Sequence, residues 1–181
     1  MRRFRIVKIN VSTKKTERKT DLVAEEKPLY IFLNKTFYAT VFCTPSCQKE
    51  LAVGHMLSEG LVRSVDEIEN ISLKAEACHI KLKLRINLTK RLKLLKPFSR
   101  VILSACGSSS PYQFAGRLPK VKSDMSVSAE TVSNSVNNLN FVAQTFRKTG
   151  GVHVAALHRS DGELVTFAED IGRHNAVDKV G

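Results

Sequence analysis

Two stretches of this chain carry residue types that can do chemistry. Cys106 sits where the apolar run Val101-Ile102-Leu103 breaks into Ser104-Ala105-Cys106-Gly107-Ser108-Ser109-Ser110. Backbone N–H groups and hydroxyls of such a loop can surround the sulfur and favour its thiolate. A thiolate there can attack an electrophile or hold a sulfane sulfur as a persulfide; the plainer role is that of a small buried apolar side chain. The second stretch is Gly150-Gly151-Val152-His153 with Glu169-Asp170-Ile171-Gly172-Arg173-His174-Asn175-Ala176-Val177-Asp178-Lys179. A strand end and a helix start here present His153, Arg173 and His174 to a common crevice, a position that bound ligands favour in layered α/β folds. Arginine near a helix start can grip phosphate bidentately. Histidine can hydrogen-bond a phosphate or move a proton. A glycine turn, a hairpin and a capped surface helix would give the same pattern without chemistry. Cys43 and Cys47 form a C-x3-C pair that zinc could use only if Cys78-His79 completed it, and this is not the usual spacing of structural zinc ligands. His55 and Glu59 read as ordinary helix residues.

The elements that must position these groups follow from pattern. Phe4 to Val11 reads as a strand, and Ser12 to Thr20 as a polar, basic loop or tail. Pro28–Leu33 and Thr36–Phe42 flank Asn34-Lys35 as a hairpin. Thr44-Pro45 reads as an N-cap and first helical residue of a helix that Gly60 stops. Ser64-Val65-Asp66-Glu67 has capping-box form. From His79 to Leu88 apolar and basic residues alternate, so one face of a strand is apolar and the other cationic. Val101-Ile102-Leu103 reads as a short buried strand, 111–127 as a long loop, and Ser128 as the cap of one helix running to Thr149. Strands 152–158 and 163–168 close a hairpin, and the last helix begins near Asp170. That helix is cut at Gly181, which reads as a C-terminal truncation.

With 181 residues and 43% hydrophobic content, the chain is one domain or one domain with a small appendage. The four cysteines are too few for a disulfide scaffold, so a reducing, cytoplasmic location is expected. No apolar run reaches the roughly 18 residues of a membrane span, and no signal peptide follows the basic N-terminus. The net charge of +12 would attract an acidic protein, nucleic acid or a phosphorylated small molecule, or marks a solvated lysine-rich face. The absence of tryptophan argues against a base-stacking surface.

The motifs also carry a resemblance. Glu26-Lys27-Pro28-Leu29, Thr44-Pro45 and Glu50-Leu51-Ala52-Val53-Gly54-His55-Met56-Leu57-Ser58-Glu59-Gly60-Leu61 resemble the N-terminal half of the formate dehydrogenase accessory sulfurtransferases, the FdhD family. Gly150 to Leu157 and Glu169 to Val180 resemble that family's second half, in the same order. The resemblance implies an α/β (α+β) fold: a β-rich N-terminal subdomain, here 25–97 after a basic strand and tail at 1–24, followed at 98–181 by a three-layer core like that of cytidine deaminases. It implies a sulfur carrier that takes sulfur from a cysteine desulfurase as a persulfide. The sulfur would pass to a molybdenum or tungsten bis-molybdopterin guanine dinucleotide cofactor destined for the formate dehydrogenase catalytic subunit. Homodimerisation is expected on the same ground; a structural metal, a membrane or nucleic acid is not.

The family's sulfur loop reads C-G-x-C-G, and Cys106 aligns with its first cysteine while Ser109 replaces the second. A lone Cys106 can carry a persulfide but cannot close a disulfide with residue 109. His153, Arg173, His174 and Gly151 are the expected cofactor-binding residues. Two alternatives stand beside this reading. One is a non-catalytic chaperone for the cofactor or the enzyme. The other is a zinc nucleobase deaminase relative, which needs H-x-E and P-C-x-x-C; His153-Val154-Ala155 lacks the glutamate and Cys106-Gly107-Ser108-Ser109 the second thiolate.

Overall fold

The computed structural model describes residues 1–83, 86–87, 101–104 and 121–181. Its centre is a five-stranded mixed sheet in the order β5-β6-β3-β4-β7. The pairing nucleus is the antiparallel hairpin of β3 (Lys27–Leu33) and β4 (Thr36–Cys43). In β3 the apolar residues alternate, and Leu29, Ile31 and Leu33 are fully buried, as a period of two on a pleated strand requires. Asn34 and Lys35 make the turn with φ of 46° and 70°, both in the left-handed region that two-residue hairpin turns need. β4 lies between β3 and β7 and buries Tyr38, Ala39, Thr40 and Val41 in succession.

β5 (Ile68–Lys74) and β6 (Ala77–Leu82) extend the sheet on one side, with β6 parallel to β3. Cys78, Ile80 and Leu82 point into the core while His79 and Lys81 are exposed, as the alternation predicts. The described strand runs to Leu82; of the rest of the expected alternation, residues 84, 85 and 88 lie outside the described residues. On the other side β7 (Val101–Ile102) runs parallel to β4. Among the described strands it is an edge strand with Val101 half exposed, not a buried one. The helix α1 (Gln48–Ser58) covers the sheet through Leu51, Ala52, His55 and Met56. Each fully buried aliphatic side chain of this core contributes about 1.5–3 kcal/mol.

Residues 15–20, expected as a loop, instead pair along their length with β1. The hairpin of β1 (Arg2–Asn10) and β2 (Lys15–Val23) forms a separate two-stranded ribbon. Both of its faces are largely solvated, so no apolar alternation marks β2 in the sequence. Helix α2 (Ala129–Val142) is capped by Ser128, which accepts the Thr131 N–H. The single helix expected from 128 to 149 is broken at Ala143, whose ψ of 71° ends α2. A second helix, α3 (Gln144–Thr149), follows because Glu169 accepts the N–H groups of Thr145 and Phe146 at 2.9 and 2.7 Å and gives α3 its own start. The apolar stripe of α2 is not packed away: Val132 and Val136 are more than half exposed. Beside it a cavity of about 310 Å³ opens between α2 and β8 (His153–His158), lined by Val132, Val136, Leu139, Ala156 and His158. β8 pairs antiparallel with β9 (Leu164–Asp170) as expected, and the short helix α4 (Arg173–Asp178) follows. Among the described residues no helix is long and apolar enough to cross a membrane.

The left-handed φ of Lys35 costs a side chain that glycine would avoid. Lys35→Gly is expected to stabilise the fold by about 0.5–1 kcal/mol, read as a raised urea midpoint at unchanged slope.

Candidate functional site

The polar end of the central sheet is built around a buried ion pair. The Nζ of Lys179 lies 2.7 Å from Asp170 Oδ2, and both side chains are fully buried. Neither charge is left unsatisfied. Asp170 also accepts the N–H of Thr44 (3.0 Å), the N–H of Gly172 (2.7 Å) and the Asn175 side-chain amide (2.9 Å). Lys179 donates to the carbonyls of Thr44 (3.1 Å) and Glu169 (3.3 Å) as well. Asn175 reaches the Phe42 carbonyl at 2.9 Å, and the Ile171 N–H donates to Thr44 Oγ1 at 3.0 Å. The end of β4 is thereby bonded to the turn between β9 and α4.

The assignment of Thr44 as a helix N-cap is corrected by this geometry. Its N–H, hydroxyl and carbonyl all serve the segment after β9, so α1 begins later. Cys47, in the left-handed region with φ of 49°, is the residue that precedes its first turn. A second clamp joins α1 to α4. Ser58 Oγ donates to Asp178 Oδ1 at 2.6 Å, and His55 Nδ1 lies 3.5 Å from Asp178 Oδ2. The helices approach so closely at Gly54 that a Cβ there would stand 1.8 Å from the Asp178 carbonyl oxygen.

Within the segment 169–179, burial therefore separates two sets of polar residues. Glu169 caps α3, while Asp170, Asn175, Asp178 and Lys179 are consumed by the architecture. Arg173 and His174 are exposed on the first turn of α4. His153, also exposed, stands opposite Asp170 in the β8–β9 register. Three of the four expected ligand residues are thus exposed beside this clamp. Gly151 is placed differently: its N–H donates to Thr149 Oγ1 at 3.1 Å, and it sits against Ala24.

β7 leads to the same end. Since Thr40 pairs with Val101 and Val41 with Ile102 in parallel, β7 leaves the sheet where β4 reaches Cys43 and Thr44. Ser104 there donates its hydroxyl to Glu26, the residue just before β3. Cys106 and Ser109 lie outside the described residues, so the structure places Ser104, two positions before Cys106, and not the sulfur itself. Glu26, Ser104, Thr44 and Lys179 were not singled out as site residues from the sequence; a carboxylate and hydroxyls at strand ends were the available signal.

The three described cysteines differ sharply. Cys43 and Cys78 are fully buried. Burial, assisted for Cys43 by the nearby Asp170 carboxylate, pushes each thiol up from 9.0 to about 11. Cys47 is exposed. Among the described residues no three His, Cys, Asp or Glu side chains converge as metal ligands.

The fold is α+β. It superposes with a TM-score of 0.75, at 19% identity, on the crystal structure of a candidate formate dehydrogenase accessory protein from Desulfotalea psychrophila, covering 98% of this chain and 65% of that one. The FdhD/NarQ family model matches residues 24–181, and the chain belongs to that family. The "sulfur carrier protein FdhD" of Sulfurisphaera tokodaii is 33% identical over 99% of this chain and 68% of its own length. The protein of that name from Staphylococcus haemolyticus is 34% identical over 89% and 61%, and that of Sulfolobus acidocaldarius 35% identical over 88% and 60%. The chain spans roughly three fifths to two thirds of the length of these relatives.

Removing one member of a buried pair strands the other charge, at a cost of about 3–5 kcal/mol. Lys179→Met is expected to lose that much in chemical denaturation, and Arg173→Ala to stay within about 0.5 kcal/mol of the parent. For the thiols, the folded state holds protons that the unfolded state releases above pH 9. Stability therefore falls as pH rises from about 9 to about 11. In native labelling at pH 8, Cys47 is expected to react with a maleimide, and Cys43 and Cys78 only after denaturant is added.

Proposed function

We propose that this chain is a cytoplasmic sulfur carrier in which Cys106 holds the transferred sulfur as a persulfide. The observation that carries the reading is the convergence just described. The strand leading to the loop cysteine leaves the sheet at the end where Arg173, His174 and His153 are exposed around a rigid buried clamp. Relatives at 33–35% identity named as sulfur carriers support it.

The chemistry is a thiol exchange. The Cys106 thiolate attacks the terminal sulfur of a persulfide on a cysteine desulfurase. A new S–S bond forms on Cys106 as the donor's S–S bond breaks, and the donor cysteine leaves as a thiolate. The client, a molybdenum or tungsten bis-molybdopterin guanine dinucleotide bound for the formate dehydrogenase catalytic subunit, then takes the terminal sulfur at the sulfane level as the Cys106 S–S bond breaks and Cys106 leaves as a thiolate. Arg173 suits the client's phosphates, since guanidinium and phosphate match bidentately. His153 and His174 can hydrogen-bond the same groups or take up a proton. Ser109 in place of a second loop cysteine makes Cys106 the single carrier in this loop, so no local relay is needed. A deaminase-like core spanning 98–181, a boundary near 24 before the family region and assembly as a homodimer belong to the same reading. The loop's single cysteine also favours a second one, a chaperone that holds the cofactor or the enzyme without moving sulfur.

Intact-mass spectrometry after incubation with a cysteine desulfurase and cysteine separates the two. The expected result is an adduct of about 32 Da that reductant removes and that Cys106→Ala lacks. A parent protein that stays unmodified beside a competent relative supports the chaperone. Guanine nucleotide binding is expected to weaken by about tenfold in Arg173→Ala, a loss of about 1.4 kcal/mol; unchanged affinity removes Arg173 from the phosphate site.

A further inference from the structure

The β1–β2 ribbon has a charge distribution that the sulfur-carrier reading does not use. It lies outside the residues matched by the family model. Residues 1–23 hold eight lysines and arginines against two acids. The register sorts these charges by face. On one face stand Arg2, Phe4, Ile6, Lys8 and Asn10, opposite Val23, Asp21, Lys19, Glu17 and Lys15. Both acids are on this face, and Asp21 pairs with Lys19 at 3.6 Å. Arg2 is bound at the ribbon's base by Glu25 at 3.0 Å.

The other face has no acid. It carries Arg3, Arg5, Val7 and Ile9 on β1, opposite Leu22, Thr20, Arg18 and Thr16 on β2. Arg3 and Arg5 are neighbours along the face, and Arg18 is the diagonal neighbour of Arg5, so successive guanidinium stems start about 7–8 Å apart. None of the three arginines makes an ion pair among the described residues. Like charges so placed weaken the ribbon. Val7 and Ile9 beside them are 57% and 63% exposed. Charges that only guard a sheet edge against aggregation need not segregate to one face, nor leave aliphatic side chains bare beside them. β1 also pairs with β2 alone among the described strands, which leaves its outer edge open for an added strand.

We infer that this face of the ribbon docks an extended acidic and aliphatic segment of a partner protein. The segment aligns along the open edge of β1, its carboxylates meet Arg3, Arg5 and Arg18, and its apolar side chains cover Val7 and Ile9. Nucleic acid would answer the arginines but leave the two aliphatic side chains in water, and this face has no aromatic residue for bases to stack on. The inference is independent of sulfur transfer.

The test is fluorescence anisotropy on the full chain. The probe is a labelled peptide as long as β1 whose alternate positions carry glutamate in one half and valine in the other, with serine between them, so that both residue types fall on one face; it is compared with a counterpart carrying lysine for glutamate and with a short duplex RNA. The acidic peptide is expected to bind and the basic one not to. The triple variant Arg3→Glu, Arg5→Glu, Arg18→Glu is expected to weaken binding by about tenfold or more, and added salt to weaken it further. Val7→Ser with Ile9→Ser is expected to weaken it about fivefold while leaving the salt dependence intact. Because the ribbon lies outside the main core, circular dichroism of both variants should match the parent. Acidic-peptide binding that survives the triple reversal overturns the proposal, as does no binding. So does tighter binding of the duplex through the same arginines, which would make this a nucleic-acid surface. Self-association abolished by the reversal would assign the face to a second copy and overturn the proposal equally.

Discussion

The Asp170–Lys179 pair is the constraint on which the polar end of the molecule depends. Removing a carboxylate and an ammonium from water is expensive, and the pair persists only because every remaining lone pair and proton is matched. The matching groups belong to the end of β4, the turn after β9 and the first turn of α4. Satisfying two buried charges therefore fixes the relative position of three elements at once. The Asp178 contacts with Ser58 and His55 tie α1 to the same end, where Gly54 permits backbone contact that no other residue allows.

This division of labour explains why a dense polar motif can be mostly architecture. Within ten residues the chain alternates between groups that must be dry and groups that must be wet. Asp170, Asn175 and Asp178 face inward, and Arg173 and His174 face solvent on the turns between them. A six-residue helix has little stability of its own. Its inward residues hold it, and its outward ones inherit a fixed orientation. Such preorganisation is what a phosphate-binding or sulfur-transferring site requires of its supports.

Much of the central sheet was legible because burial left a period of two in β3 and β6 and a turn signal at Asn34-Lys35. The ribbon strand β2 was not legible. It is polar on both faces, so its hydrogen-bonding partner, which a sequence pattern does not display, decides its conformation. Thr44 misled for a different reason. Its residue type and the following proline satisfy the local rule for a helix start, but a buried aspartate more than a hundred positions away recruits the same donors and acceptors. The break at Ala143 likewise comes from Glu169, a distant cap. His153, Arg173 and His174 could be grouped from sequence because their strand and helix are nearly contiguous. The contribution of Glu26 and Ser104 to that end of the sheet depends on the parallel pairing of β7 with β4, which local composition does not encode.

The clamp also has a temporal side. Thr44 and Phe42 wait for partners 126 to 135 residues downstream. During synthesis the hairpin β3–β4 and α1 can form early, yet the edge they present at Thr44 stays open until Lys179 has left the ribosome. Closure of a loop this long is slow relative to local pairing. Until then the polar groups of Thr44 and the Phe42 carbonyl lack these partners. The groups are then matched together in one late step, when the segment from Asp170 to Lys179 docks.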